Sequence, residues 1–232
     1  MIGVIGCNAF PACPSPWWNS DSLNDHLIHN IQHWNDGYMP TDHPNKKIIA
    51  KNKTLDLHNP HNEEKSKAVA LDGLWMCAHR KVFEKYRFDD KTFKGFHCYD
   101  TDICLQINQD YDIYVVYDIL IEHLSMGSVK ADWASSAEML ADKWATHLPC
   151  FAKPVDNNLI DQYNTKCLLT YCYWIQSMGF SEKKIRAIIE KYKPSKPSLF
   201  FSKEYLLLCL WLKIGYKNSK MPYKILKLLA TS

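Results

Sequence analysis

The nine cysteines of this 232-residue chain contain no CxxC pair and no spaced metal quartet. That absence excludes a zinc-ribbon framework and leaves no pattern for a disulfide scaffold. Their number is odd and their neighbours are mostly apolar, the usage of a reducing compartment in which Cys serves as a small hydrophobe. No signal-peptide pattern follows Met1, which opens directly into Ile2-Gly3-Val4-Ile5-Gly6. No apolar run reaches the length of a membrane span. A cytoplasmic protein is the expectation. No nucleic-acid motif accompanies the basic residues, so nucleic acid is not expected as a partner.

What is present is a chain able to bury a real core. With 47% apolar and 13% aromatic residues, it reads as one sizeable domain or one domain with an appendage. The aromatic density also suits stacking against sugars or bases. The net charge of +3 hides a division. Residues 181–232 carry twelve Lys or Arg and three Glu, a net of +9, which leaves about −6 on residues 1–180. An acidic front and a basic tail suggest two jobs. The tail, with its apolar run Leu206 to Trp211, is a candidate for peripheral contact with an anionic membrane, at its inner face. The alternative is a helix packed on the core with its lysines solvated.

Along the chain, Ile2 to Ile5 reads as a short buried strand, followed by a loop from Asn8 to Asn19 that contains the Trp17-Trp18 pair. Residues 20–66 are polar and weakly periodic, which suggests long loops with one short helix around Asp25 to Trp34. His26, His29 and His33 would then share a helical face, solvated or, less simply, metal-binding. Ala68 to Ala78 looks like a strand interrupted at Asp72-Gly73, where Gly marks a bulge or the close approach of a backbone or ligand. Lys81 to Tyr86 reads as a helical turn, Asp100 to about Gln109 as a helix, and Tyr111 to Tyr117 as a strand. Ser135-Ser136-Ala137-Glu138 fits a capping box at a helix start. Leu159 to Met178 is amphipathic. Ser181 caps a helix whose Ile185, Ile188, Ile189 and Tyr192 recur at helical spacing, and Lys203 to Tyr216 is a further, very apolar helix. Two regions follow: an α/β core over 1–130 and a helical region over 131–232.

The richest stretch is Gly95-Phe96-His97-Cys98-Tyr99-Asp100-Thr101-Asp102-Ile103. Two carboxylates stand where a Gly- and aromatic-rich loop enters a regular element. There they are easily aimed into a cleft, to accept a hydroxyl proton or hold a hard cation. The plainer reading is a helix-capping Asp and a solvent-facing one.

The order of features is informative: a strand with an internal Asp-Gly, an aromatic-Gly loop, Asp-x-Asp-Ile, a strand, then His123-x-Ser-x-Gly-Ser. It resembles the second half of glycosyltransferase family 2-like enzymes of the GT-A fold and, more distantly, the beta-1,4-galactosyltransferases. The resemblance runs from Ile2 to Ser128 and implies a partial GT-A (Rossmann-like) mixed sheet followed by helices. It implies Asp100 as the general base that deprotonates the acceptor hydroxyl, Asp72 and Gly73 beside the donor sugar, and His97 in the substrate loop. Asp102 would orient the loop, cap the helix or join the substrate site. Trp17 and Trp18 would stack on carbohydrate or anchor their loop. His123 matches a metal-binding His, and so implies a divalent Mn or Mg ion. The partners implied are a nucleotide-sugar donor and a glycan or lipid-linked acceptor, as in polysaccharide biosynthesis.

The departure from the family is at the front. Ile2 to Gly6 looks like the strand that follows the nucleotide-binding half, so that half is expected to be missing, with weak donor binding as the consequence. Asp110-Tyr111-Asp112 is a second DxD, at the turn into a strand, and does not replace the missing motif. Two other readings stand beside the transferase. One is a noncatalytic carbohydrate- or protein-binding remnant. The other is a metal-dependent hydrolase built on the His-rich region with Asp100 and Asp102.

Overall fold

The computed structural model describes residues 1–18, 27–35, 52–123, 130–194, 203 and 205–209. Three short strands open the chain: β1 (Ile2–Gly3), β2 (Ile5–Cys7) and β3 (Ala9–Phe10). Next come β4 (Leu27–Asn35), β5 (Asn52–His58), β6 (Lys65–Ala68), β7 (Ala70–Leu71) and β8 (Met76–Cys77). The helices α1 (Arg80–Lys85) and α2 (Tyr99–Ile107) precede β9 (Ile113–Val116) and β10 (Ile121–His123). The rest is α3 (Ala131–Lys143), β11 (Cys150–Phe151), α4 (Asn157–Ser177) and α5 (Glu182–Tyr192), with residues 203 and 205–209 also helical.

Among the described residues the strands form mixed sheets. One has the order β6-β9-β1-β8, with β1 parallel to β9 and antiparallel to β8. A second has the order β10-β4-β2-β7, with β5 on β4 and β10 parallel to β4. β3 and β11 form a small antiparallel pair. This is the mixed α/β architecture expected, with a helical C-terminal region.

Asp25 to Trp34 is not a helix where it is described. Leu27–Asn35 is a strand, bonded to β2 through Ile28↔Gly6 and to β5 from His29↔His58 onward. Ile28 and Asn30 are buried while Leu27 and His29 are partly exposed, a period of two. The buried Asn30 amide donates to the Tyr117 and Ile119 carbonyls at 2.7 and 3.0 Å. Pairing on both edges and β-branched Ile28 and Ile31 outweigh a helical spacing carried only by histidines. His26 lies outside the described residues. His29 stacks on His58 at 5.6 Å and bonds Asp56 Oδ1 at 2.7 Å.

The capping box is also misplaced. α3 begins at Ala131, four residues before Ser135, and the Ser135 and Ser136 hydroxyls donate back to the Ala131 and Asp132 carbonyls. Ser181, by contrast, caps α5 with its Oγ accepting from Lys184 N at 3.3 Å. Of the helix expected over 203–216, residues 210–216 lie outside the described residues.

Two apolar clusters hold the structure. One joins Cys7, Phe10, Ile28, Val69 and Leu71 of the sheets to Ile103 and Ile107 of α2. The other gathers Tyr163, Leu168 and Tyr171 of α4 with Ile185, Ile188 and Ile189 of α5. α3 enters both, with Leu140 in the first and Trp133 and Ala137 in the second.

Candidate active site

The strand from Lys65 breaks at Asp72-Gly73, and the break faces the start of α2. An added Cβ on Gly73 would stand 2.4 Å from the Tyr99 hydroxyl and 3.4 Å from Asp100 Cβ. The turn at Gly73 thus lies in close approach to the Tyr99 side chain, where a Cβ would force the ring to shift. Asp72 turns the chain, its Oδ1 accepting from Leu74 N at 2.7 Å. Opposite, Cys98 enters α2 in the left-handed region (φ 65°) and gives the helix no side-chain cap. A non-glycine residue there stores about 1–3 kcal/mol of strain. The conformation sets Tyr99 and Asp100 at the first turn of α2, against Gly73.

Asp100 is partly buried. Its Oδ2 accepts from Gly73 N at 3.0 Å and its Oδ1 from Thr101 N at 2.8 Å. Burial raises its carboxyl from 3.8 to about 6, and the nearby Asp72 charge adds to the rise, while the two backbone N–H bonds oppose it. Asp72 is also raised, by burial, against its bond from Leu74 and the influence of His123. Tyr99 is raised by burial and then by Asp100 and Asp72, which keeps its hydroxyl protonated at neutral pH.

Gly73 and Tyr99 also line a cavity of about 400 Å³, walled further by Trp75, Phe83, Phe88 and Ile103. No charged side chain is in that wall. Phe83 and Phe88 stack at 6.4 Å, Phe88 and Tyr99 tilt together at 6.0 Å, and Phe96, 75% exposed, packs on Tyr99 at 6.2 Å.

Asp102, two residues on, has a different set of partners. It is 0% exposed, and its carboxylate accepts from Trp144 Nε1 at 2.8 Å, Gln106 Nε2 at 2.8 Å and Lys143 Nζ at 2.7 Å. These bonds saturate it and leave it no face on the cavity. Lys143 Nζ also reaches Asp89 Oδ2 at 2.8 Å. Burial works against the Lys143 ammonium, but its bonds to Asp102 and Asp89 outweigh that and raise its pKa.

The remaining expected residues are dispersed. Trp17, 8% exposed, meets Trp18 edge-on at 5.3 Å, and Trp18 packs against Trp133 and Trp174 at 6.3 and 6.2 Å. That packing anchors the loop. His97 Nε2 lies 3.5 Å from Asp132 Oδ2. His123 ends β10, opposite His33, and residues 124–128 of its motif lie outside the described residues. Asp110 is held by Lys85 and Tyr86, and Asp112 by Lys67 at 2.6 Å and Tyr114 at 3.1 Å, so the second DxD is a pair of surface ion-pair partners. Among the described residues no group of three His, Cys, Asp or Glu is placed to hold a metal ion. Asp72, Asp100 and His123 do not form such a set.

Lys143, Trp144, Phe88 and Trp75 carry no motif, and the first two enter this region through a residue far away in sequence. For Lys143 the separation from Asp102 is 41 residues.

A carboxylate with a raised pKa is thus fixed by a turn glycine that lines an aromatic cavity, within a mixed α/β fold. Residues 1–147 match the model of the glycosyltransferase-like family, well over half of the chain, and the chain belongs to that family. Comparison with curated proteins and with solved structures gives no match.

Proposed function

We propose that the chain transfers a sugar from a nucleotide-sugar donor to a hydroxyl of a glycan or lipid-linked acceptor, with Asp100 as the general base. The observation that carries the reading is Asp100 itself: a partly buried carboxylate, raised to about 6, held by the N–H of Gly73, a residue that lines the cavity. At pH 7 a group of that pKa is roughly nine-tenths ionised, and its basicity is far better matched to proton abstraction than that of an ordinary Asp. The acceptor O–H gives its proton to Asp100 as the oxygen bonds to the anomeric carbon, and the bond from that carbon to the diphosphate breaks.

The aromatic wall of Trp75, Phe83, Phe88 and Tyr99 suits an acceptor sugar, because aromatic faces stack on apolar ring faces. Tyr99, kept protonated, supplies a hydroxyl donor toward the same space. Asp72 and Gly73 are proposed to border the donor sugar, and His97 to support the loop from Asp132. A Mn or Mg ion, if required, would be carried with the donor diphosphate, with His123 as its proposed protein ligand. It would neutralise the leaving diphosphate.

Screening UDP- and GDP-sugars against glycan acceptors, with and without manganese, tests the reading. Asp100→Asn should reduce transfer by about 10²–10⁴-fold. Sugar binding without transfer from any donor would favour the noncatalytic reading. Tightly bound zinc on elemental analysis would favour the hydrolase.

A position at the inner face of a membrane is a separate proposal, resting on the net +9 of residues 181–232. Among the described residues no helix is long and apolar enough to cross a membrane, and residues 210–232 lie outside them. Sedimentation with anionic liposomes, reduced when Lys213, Lys217, Lys220, Lys224 and Lys227 are neutralised, would support it. Unchanged sedimentation would remove it.

A further inference from the structure

We propose that Lys143 of α3 is a positioning residue, one ammonium that holds the helix bearing Asp100 and the turn bearing Phe88 in a single register. The inference rests on the reading of Asp100 as the base and adds to it the device that aims that base.

The geometry is direct. Lys143 Nζ lies 2.7 and 2.9 Å from the two oxygens of Asp102, in the first turn of α2, and 2.8 Å from Asp89 Oδ2. Asp89 organises its own turn: Oδ1 accepts from Thr92 N at 2.9 Å and from Lys91 N at 3.2 Å, and its carbonyl accepts from Phe93 N at 3.0 Å. Phe88, the residue before it, is in the cavity wall and its ring lies 6.0 Å from Tyr99. The two elements tied by Lys143 are therefore the two that border the cavity on its α2 side. Trp144, next in sequence, adds a second donor to Asp102 at 2.8 Å.

Stability alone does not call for this arrangement. Asp102 sits fully inside an apolar cluster, where a packed hydrophobe of similar size is commonly as stable as an ion pair, whereas one partner without the other is strongly unfavourable. What a charge-assisted link adds over apolar packing is direction. Here the direction is fixed from both ends. Asp102 cannot turn without losing Trp144 and Gln106, and Asp89 cannot turn without losing its backbone donors. One α-helical turn separates Asp102 from the N-cap residue Cys98, whose carbonyl accepts Asp102 N at 2.9 Å. Any rotation at Asp102 is thus passed to Tyr99 and Asp100.

The test uses the full chain and three variants: Lys143→Met, Asp102→Asn, and the double variant, which removes both charges of the buried link and keeps a foldable protein if a single change does not. Two readouts are taken. Amide hydrogen exchange is followed at Thr92 and Phe93 and at Asp102 and Ile103. The Asp100 carboxyl is titrated by carbon NMR, its signal assigned with Asp100→Asn. In Lys143→Met, exchange should rise at least tenfold in both segments together, and the Asp100 midpoint should drop by about one pH unit or more as the carboxylate gains water. The double variant should regain melting temperature relative to the single ones but keep the lowered midpoint. A merely structural role would let the midpoint return with stability. A folded Lys143→Met protein with the wild-type midpoint, or with exchange raised in one segment only, would overturn the proposal. A wild-type midpoint near 3.8 would instead count against Asp100 as the tuned base, which separates the two failures.

Discussion

Burial and the Asp72 charge raise the Asp100 carboxyl from 3.8 to about 6, and the sign of that shift sets its effect on stability. The folded state binds the proton more tightly than the unfolded chain. The group's stabilising contribution is therefore fully present below pH 3.8 and is lost as the pH rises through about 6. The shift corresponds to on the order of 2–3 kcal/mol. Asp100→Asn loses one acceptor for the Gly73 and Thr101 N–H groups, a cost of about 1 kcal/mol that does not vary with pH. The stability of Asp100→Asn relative to wild type should hence improve by roughly 2–3 kcal/mol between pH 4 and pH 7, read from urea midpoints across that range. A flat trend would mean that Asp100 titrates as an ordinary surface carboxylate, and an opposite one that folding lowers its pKa. The distinction between Asp100 and Asp102 was only partly legible. Both follow the same loop signal, and an Asp saturated by Lys143 and Trp144 looks, in sequence, like one facing a cleft.

At the scale of elements, the close approaches at glycines give opposite expectations. Gly6 of β2 lies between β4 and β7, and a Cβ there would come within 2.3 Å of the Ala70 carbonyl oxygen. Backbone in a paired strand cannot yield, so Gly6→Ala should cost about 2–3 kcal/mol or prevent folding. At Gly73 the clash is with the end of the Tyr99 side chain, which can move, so Gly73→Ala should lower the melting temperature less while narrowing the cavity. Comparing the two melts checks the pair; equal losses would contradict it. Ser181→Ala should cost about 1 kcal/mol through the lost α5 cap. The legible elements are those whose signals are local, such as the Ser181 cap, the α4 and α5 apolar faces and the Asp72-Gly73 interruption. β4 is not legible as a strand because its identity comes from pairing with β2 and β5, contacts that a window on the sequence does not contain. The start of α3 is not legible either, because Ser135 and Ser136 bond backward within a helix instead of capping it.

Across the whole molecule, α3 is the element on which both apolar clusters and the proposed site depend. Trp133 packs against Trp18, Trp174 and Tyr171 at 6.3, 5.7 and 5.9 Å. Trp133→Ala should cost about 3–5 kcal/mol, read by denaturant unfolding; a loss under about 1 kcal/mol would show that this aromatic cluster contributes little. A division into a core over 1–130 and a helical region over 131–232 is visible as a change in composition. The ties across it, from Lys143 and Trp144 to Asp102, are not, because no local signal marks a residue whose partner is 41 positions away. The proposed role of Asp100 as the base of a sugar transfer is decided by the pH dependence of kcat/KM for transfer, measured for wild type and Asp100→Asn. Wild type should show an acid limb with its midpoint near the Asp100 value of about 6, absent from the weak residual rate of the variant. A variant with wild-type kcat/KM and the same limb would contradict it.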